Sequence, residues 1–228
     1  MDSINIIGDI HGRTCWKHIV REDSVNVFVG DYFDPYEPFP FEHLRQNFLD
    51  IVAYKESHPQ TVLLYGNHDL HYICSSERCS RFDALHAGQY GVLLESAQAL
   101  FSGAAFACED ALVTHAGVTK DWYERKFGEY KGETPAEVAA KINALWQRDM
   151  AEFTFLANMS NPMDIYGEAP THSPIWIRPW TLIEHNLFED MPFKQVVGHT
   201  QVEDITQVDD ALICVDCLGT TEKSLTME

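Results

Sequence analysis

Hydrophobic residues fall in short blocks along this chain, and block after block ends in glycine and polar residues. Asn5-Ile6-Ile7 runs into Gly8-Asp9-Ile10-His11-Gly12. Val25, Val27, Phe28 and Val29 run into Gly30-Asp31-Tyr32-Phe33-Asp34-Pro35, and Val62-Leu63-Leu64-Tyr65 into Gly66-Asn67-His68-Asp69. Short apolar runs bounded by turn residues read as buried strands. Trp16, Ile19 and Val20 recur at helical spacing, as do Leu44, Phe48, Ile51 and Val52, whose helix should end at His58-Pro59. The chain therefore opens with strand–loop–helix units, an α/β pattern.

The second half continues the plan with more irregularity. A helix is expected near 81–87, followed by a weakly patterned stretch to 102. Ala104 to Cys108 and Leu112 to Thr114 predict an antiparallel hairpin turned at Glu109-Asp110, its second strand ending at His115-Ala116-Gly117. Residues 119–180 are richer in helix and aromatics. There Thr134-Pro135-Ala136-Glu137 combines an N-cap, a proline at the first helical position and a capping-box glutamate. Val138, Ile142, Leu145 and Trp146 supply that helix's apolar face. A loop over 158–174 leads to Pro174-Ile175-Trp176-Ile177-Arg178-Pro179. Gln195-Val196-Val197 then ends in Gly198-His199-Thr200, and Ala211 to Val215 is the expected last strand. No linker, repeat or low-complexity segment interrupts the chain, so one domain over 1–228 is expected, with 119–180 as an insertion facing substrate.

Composition narrows the partners. At 228 residues and 45% apolar content the chain can bury a substantial core. Lys plus Arg total 16 against 35 Asp plus Glu, a net charge of −19, which repels nucleic acid and acidic membrane surfaces. It also repels phosphorylated substrates unless something local reverses the sign, as two divalent cations would. The start of the chain does not resemble a signal peptide and no apolar run reaches membrane-spanning length, so a cytoplasmic protein is expected. The six cysteines, at 15, 74, 79, 108, 214 and 217, read as reduced thiols. Cys214-Val215-Asp216-Cys217 has zinc spacing, but a Cys₄ site needs two such pairs, and this one lies in a strand-like run.

Five strand ends thus gather Asp9 with His11, Asp31 with Asp34, Asn67 with His68, His115 and His199. That is the sheet edge where open α/β folds bind ligands, and packing alone would put apolar residues there. Carboxylate, carboxamide and imidazole without thiolate suit Mn²⁺, Fe or Zn²⁺, whereas a Ca²⁺ site would not use imidazoles. Six donors exceed the needs of one tetrahedral zinc and suffice for two ions if a carboxylate is shared. Two ions about 3.5–4 Å apart clamp phosphate oxygens and acidify a bridging water into a nucleophilic hydroxide.

Gly8-Asp9-Ile10-His11-Gly12, Gly30-Asp31-x-x-Asp34, Gly66-Asn67-His68-Asp69, His115-Ala116-Gly117 and Gly198-His199-Thr200 resemble, in this order, the signature of the calcineurin-like metallophosphoesterases. The wording is closest to the phosphoprotein phosphatase branch, which includes bacterial and phage protein phosphatases and symmetrical diadenosine tetraphosphatases. The resemblance implies a four-layer α/β/β/α sandwich of two mixed sheets flanked by helices. It also implies that Asp9 and His11 bind one metal, that Asp31 bridges, and that Asn67, His115 and His199 bind the second. His68, held by Asp34, becomes the general acid, and a His–carboxylate pair is expected to stay protonated near neutral pH. The expected cofactors are two metal ions, Mn²⁺ first, with Fe or Zn²⁺ as alternatives.

Two positions depart from the branch. Pro35 stands where an arginine usually grips the substrate phosphate, and Asp69 where glutamate is usual. Arg178 and Arg13, with Asn67, are the expected phosphate contacts instead. The other histidines, at 18, 43, 58, 71, 86, 172 and 185, read as structural. The implied activity is hydrolysis of a phosphomonoester of Ser/Thr phosphoprotein type by metal-bridging hydroxide. A dinucleoside polyphosphate hydrolase is the alternative, and a non-catalytic protein-binding scaffold the remote one.

Overall fold

The computed structural model describes residues 3–74, 77–108, 110–164, 166–189 and 191–227. In chain order its elements are β1 (Ser3–Ile7), α1 (Trp16–Ile19), β2 (Ser24–Phe28), α2 (Phe41–Ser57), β3 (Val62–Leu63), α3 (Asn67–Ile73) and α4 (Ala87–Ala97). Then follow β4 (Ala105–Cys108), β5 (Ala111–Thr114), α5 (Lys120–Phe127), α6 (Pro135–Arg148), α7 (Phe155–Asn158) and α8 (Pro179–Glu184). The chain ends with β6 (Lys194–Val197), β7 (Thr206–Gln207), β8 (Leu212–Cys214) and β9 (Leu225–Met227). The strands form two mixed sheets, ordered β3-β2-β1-β9 and β4-β5-β6-β8-β7.

Strand side chains alternate between faces, and here both faces are buried, which is why the blocks read as continuous apolar runs. Ile6, Val27, Val29, Val62 and Leu64 of the first sheet pack against Ala111, Val113, Val196, Ile213 and Val215 of the second. The intervening Ile7, Phe28 and Leu63 turn outward into a larger cluster with Trp16, Leu44, Phe48 and Ile51. Leu112 joins the same cluster beside Val138, Ile142 and Leu145 of α6. Leu182 of α8 covers Val197, Leu212 and Cys214. Helices thus flank both sheets, as the fold expectation required. The cap read at Thr134 is present, with its hydroxyl accepting from Glu137 N–H and the Glu137 carboxylate accepting from Thr134 N–H.

Two element expectations are corrected. The helix placed near 81–87 begins at Ala87 instead, and it occupies most of the stretch that carried little pattern. Residues before it form turns, in which Asp83 accepts hydrogen bonds from the N–H groups of Leu85 and His86. The strand at 212–214 is not the last, because β9 returns to pair antiparallel with β1, Ile4 facing Met227 and Ile6 facing Leu225. Part of the hairpin turn read at Glu109-Asp110 lies outside the described residues; its strands pair as expected, Cys108 opposite Ala111. Among the described residues no helix is long and apolar enough to cross a membrane.

One buried acid links two loops. Glu77 accepts a hydrogen bond from Phe155 N–H at 2.6 Å, and burial pushes its carboxyl up to about 7. Its folded pKa lies above its unfolded one, so between the two the native state binds more protons and stability falls as pH rises. Glu77→Gln keeps the acceptor and removes the ionisation. The variant should gain on the order of 2 kcal/mol in denaturant unfolding at pH 8 and almost nothing at pH 4.

Candidate metal centre

Loops at the carboxyl ends of β1, β2, β3, β5 and β6 carry the predicted ligands to one place. Among the described non-glycine residues, positive φ occurs at His11 (44°), Asp31 (54°), Asp34 (56°), His199 (64°) and Arg81 (61°). A left-handed backbone costs such residues on the order of 1 kcal/mol each, and strain of this kind concentrates at functional sites. Backbone contacts hold it: His11 N–H donates to Asp31 C=O at 2.7 Å and Gly12 N–H to Tyr32 C=O at 3.1 Å. The Asp69 carboxylate accepts from the N–H groups of Asp31, Tyr32 and Gly66 at 2.8, 2.9 and 2.8 Å, tying the second and third motifs together.

The imidazoles are presented in one tautomer. Nδ1 of His11 lies 2.8 Å from Phe33 C=O and Nδ1 of His115 lies 3.0 Å from Val29 C=O. A carbonyl only accepts, so both Nδ1 atoms carry the proton and both Nε2 atoms turn a lone pair inward. Asp31 Oδ2 stands between them, 3.6 Å from His11 Nε2 and 3.5 Å from His115 Nε2. Its other oxygen accepts His68 N–H at 2.8 Å. Asp9 accepts His199 N–H with both oxygens, at 3.1 and 3.0 Å, and its Oδ2 lies 4.0 Å from His11 Nε2. Asn67 Oδ1 lies 2.9 Å from His115 Nε2 and 3.0 Å from His199 Nδ1. At His115, whose Nε2 carries no proton, an amide oxygen at that distance is repulsive unless a cation ligates both. The donor set fits two ions sharing Asp31.

Close backbone approach makes this possible. A Cβ at Gly66 would fall 2.1 Å from Asp31 Oδ1, and one at Gly198 2.1 Å from Asp9 Oδ1.

Burial sets the electrostatics. It pushes the Asp9 carboxyl well above the usual range, reinforced by Asp216 and Asp31, and does the same to Asp31, reinforced by Asp69. Burial drives His11 and His199 well down, and His115 to about 3. Neutral imidazoles beside crowded carboxylates are a ready cation site.

Beside it lies the His68–Asp34 pair, Nδ1 to Oδ2 at 2.7 Å. Burial alone would raise Asp34, but hydrogen bonding to His68 and His71 carries it below the ordinary value. The expectation that His68 stays protonated near neutral pH is corrected: burial outweighs Asp34 and draws His68 down to about 4, with Arg81 and His71 acting in the same direction.

Residues read as structural, or not read at all, complete the surroundings. His71 Nε2 lies 2.7 Å from Asp34 Oδ2, and the Tyr72 hydroxyl donates to Asp34 Oδ1. Arg81 donates from Nε to Asp34 C=O at 3.0 Å, reaches His68 Nε2 at 3.2 Å through Nη2, and lies over the Tyr36 ring at 3.7 Å. No motif marks it in the sequence. Its positive φ is the signal, and that is visible only in the fold. Asp216, fully buried next to Asp9, lay hidden in a strand-like run.

Of the two arginines proposed from sequence, Arg178 caps α8 and donates to Tyr166 C=O and, at 3.1 Å, to Thr200 Oγ1. Its charge helps lower His199 and His115. Arg13 is buried, weakly paired with Glu37 at 3.3 Å, and lines a cavity of about 290 Å³ with Tyr36, Gln201 and Asp216. Its Nε and Nη1 have no hydrogen-bond partner among the described residues. His172 stays structural, paired with Asp164 at 2.7 Å.

No curated protein matches the chain. Among solved structures, it is similar to a protein serine/threonine phosphatase from Saccharomyces cerevisiae with similarity to human phosphatase PP5. The TM-score is 0.53 and the identity 14%, over 93% of this chain and 66% of that one. This likeness concerns the fold. Residues 3–203 match the calcineurin-like phosphoesterases. Given that match over most of its length, the chain belongs to the calcineurin-like phosphoesterase family, a family of metal-dependent phosphoester hydrolases.

Proposed function

We propose that the chain is a dinuclear-metal phosphomonoesterase of Ser/Thr phosphoprotein type. The observation that carries this reading is Asp31 Oδ2, midway between the inward lone pairs of His11 and His115, with the His68–Asp34 pair on the neighbouring loops. Asp9, His11 and Asp31 would hold one ion; Asp31, Asn67, His115 and His199 would hold the other. The all-N/O donor set favours Mn²⁺, with Fe or Zn²⁺ as alternatives. Two such ions, when bound, offset the protein's negative field at the phosphate and acidify a water between them.

The protein's own groups do the rest. Arg81, pinned by Asp34 C=O and stacked on Tyr36, offers its guanidinium fork to phosphate oxygens in place of the arginine absent at Pro35. Arg178 approaches from the insertion at 119–180, which we read as the substrate-facing part of one domain. A phosphate dianion beside His68 opposes the shift that burial and Arg81 impose, so His68 can hold a proton at Nε2 and deliver it to the leaving oxygen. Asp34 fixes its ring through Nδ1. A dinucleoside polyphosphate is the second reading, for which the cavity lined by Arg13 offers one further cation.

A substrate panel tests the reading: Mn²⁺-loaded protein with p-nitrophenyl phosphate, its bis-ester, a phosphoserine peptide and diadenosine tetraphosphate. Phosphopeptide turnover supports it, and preference for the dinucleotide replaces the substrate class. No turnover with metal bound would sink the enzyme reading.

Asp31→Asn should lose both metals by elemental analysis, and full occupancy would refute the shared ligand. His68→Asn should keep its metals yet lose about 10²-fold or more in kcat on the phosphopeptide. Its loss on p-nitrophenyl phosphate, whose leaving group needs less protonation, should be smaller. Arg81→Ala should lower kcat/KM for monoesters about 10–100-fold, with a smaller loss on the bis-ester.

A further inference from the structure

Against the His68–Asp34 pair lie two further metal-ligand types, Cys79 and His71, that the phosphoesterase reading does not use. Cys79 Sγ sits 2.8 Å from His71 Nδ1 and 3.6 Å from His68 Nδ1. Ligand atoms of these three residues lie within 4.8 Å of one another, as do those of the separate group Asp9, Asp31 and His115. Both histidines are buried, while Cys79 is half-buried and lies in an irregular segment.

We propose that Cys79, His71 and His68 form a zinc-binding site, distinct from the dinuclear centre, which captures the acid histidine when filled. One thiolate and two imidazoles suit Zn²⁺, with the fourth position of the tetrahedron left to water. Tetrahedral zinc with about 2.3 Å to sulfur and about 2.0 Å to nitrogen sets sulfur–nitrogen separations of about 3.6 Å. The His68 distance already has that value, and the thiol must draw back from His71 by a fraction of an ångström. His71, ligating through Nδ1, presents Nε2–H to Asp34 at 2.7 Å, the carboxylate–histidine support common behind zinc ligands. Burial first, and then the negative charges of Asp31, Asp34 and Glu77, hold the Cys79 thiol protonated; the same charges favour a divalent cation.

On binding, the S–H proton passes to solvent and sulfur gives its electron pair to zinc. His68 moves its proton from Nδ1 to Nε2 and gives the Nδ1 pair to the ion. The His68 Nδ1–H bond to Asp34 and the Arg81 bond to Nε2 are both lost. That zinc therefore inhibits turnover rests on the proposed role of His68; that zinc binds does not.

The test uses the full chain preloaded with Mn²⁺. Added Co²⁺ should give a sulfur-to-cobalt charge-transfer band in the near ultraviolet that Zn²⁺ abolishes and that Cys79→Ser lacks. On the wild type itself, Zn²⁺ should protect Cys79 from iodoacetamide, read peptide by peptide in a mass spectrometer. No band in the wild type, an equal band in Cys79→Ser, or unprotected Cys79 would each overturn the site. Filling it should lower phosphopeptide turnover about 10²-fold. Band and protection without that loss would leave the zinc site standing and overturn the acid role of His68 instead.

Discussion

Asp9, Asp31, Asp34, Asp69 and Asp216 are all buried at one end of a protein whose net charge is already −19. Buried like charges cannot all ionise without compensation, and each route to it is visible here. Asp69 is answered by three backbone N–H groups, and Asp34 by two imidazoles and a phenol. Asp9 and Asp31 receive backbone N–H groups from His199 and His68 respectively, which leaves most of their charge unmatched. On the proposed reading, that remainder is where divalent cations would sit, completing a compensation that hydrogen bonds only begin.

The sandwich earns its place by supplying rigid ends for those loops. Alternate residues of one strand face the other sheet while their neighbours face a helix, so each strand is fixed on both faces. Loops leaving such strands inherit fixed starting points, and left-handed backbone at His11, Asp31, Asp34 and His199 becomes tolerable. The strain is confined to the few residues whose side chains must converge.

The convergence of the candidate ligands was legible in sequence because strand, glycine and donor lie within a few residues of one another. Local pattern encodes them. Arg81, His71 and Tyr72 were not, since their importance depends on where α3 and the following turns fold relative to Asp34. The helix expected at 81–87 failed for a related reason: Phe82 packs against His71 and Tyr72 while Leu85 stays exposed, and Asp83 takes the local N–H groups into turns. β9 escaped because three residues pairing at a sheet edge leave no periodicity to detect. The protonation state of His68 was misjudged from pairing alone; the depth of burial, which outweighs the pair, is a property of the assembled fold.

Asp34 marks where legible and illegible parts meet. Its carboxylate touches His68, His71 and Tyr72, and its carbonyl holds Arg81, so one residue positions the proposed acid histidine and the nearest guanidinium together. A proline directly after it forfeits the arginine that a neighbouring position would provide. In the fold, the cation returns from a segment nearly fifty residues further on, its guanidinium laid flat on Tyr36 of the same loop. On the proposed reading, the charge that a phosphate would meet is kept while the segment carrying it has changed. Its reach and its approach to the phosphate differ from those of an arginine at position 35, and substrate choice should be decided there rather than at the metal ligands.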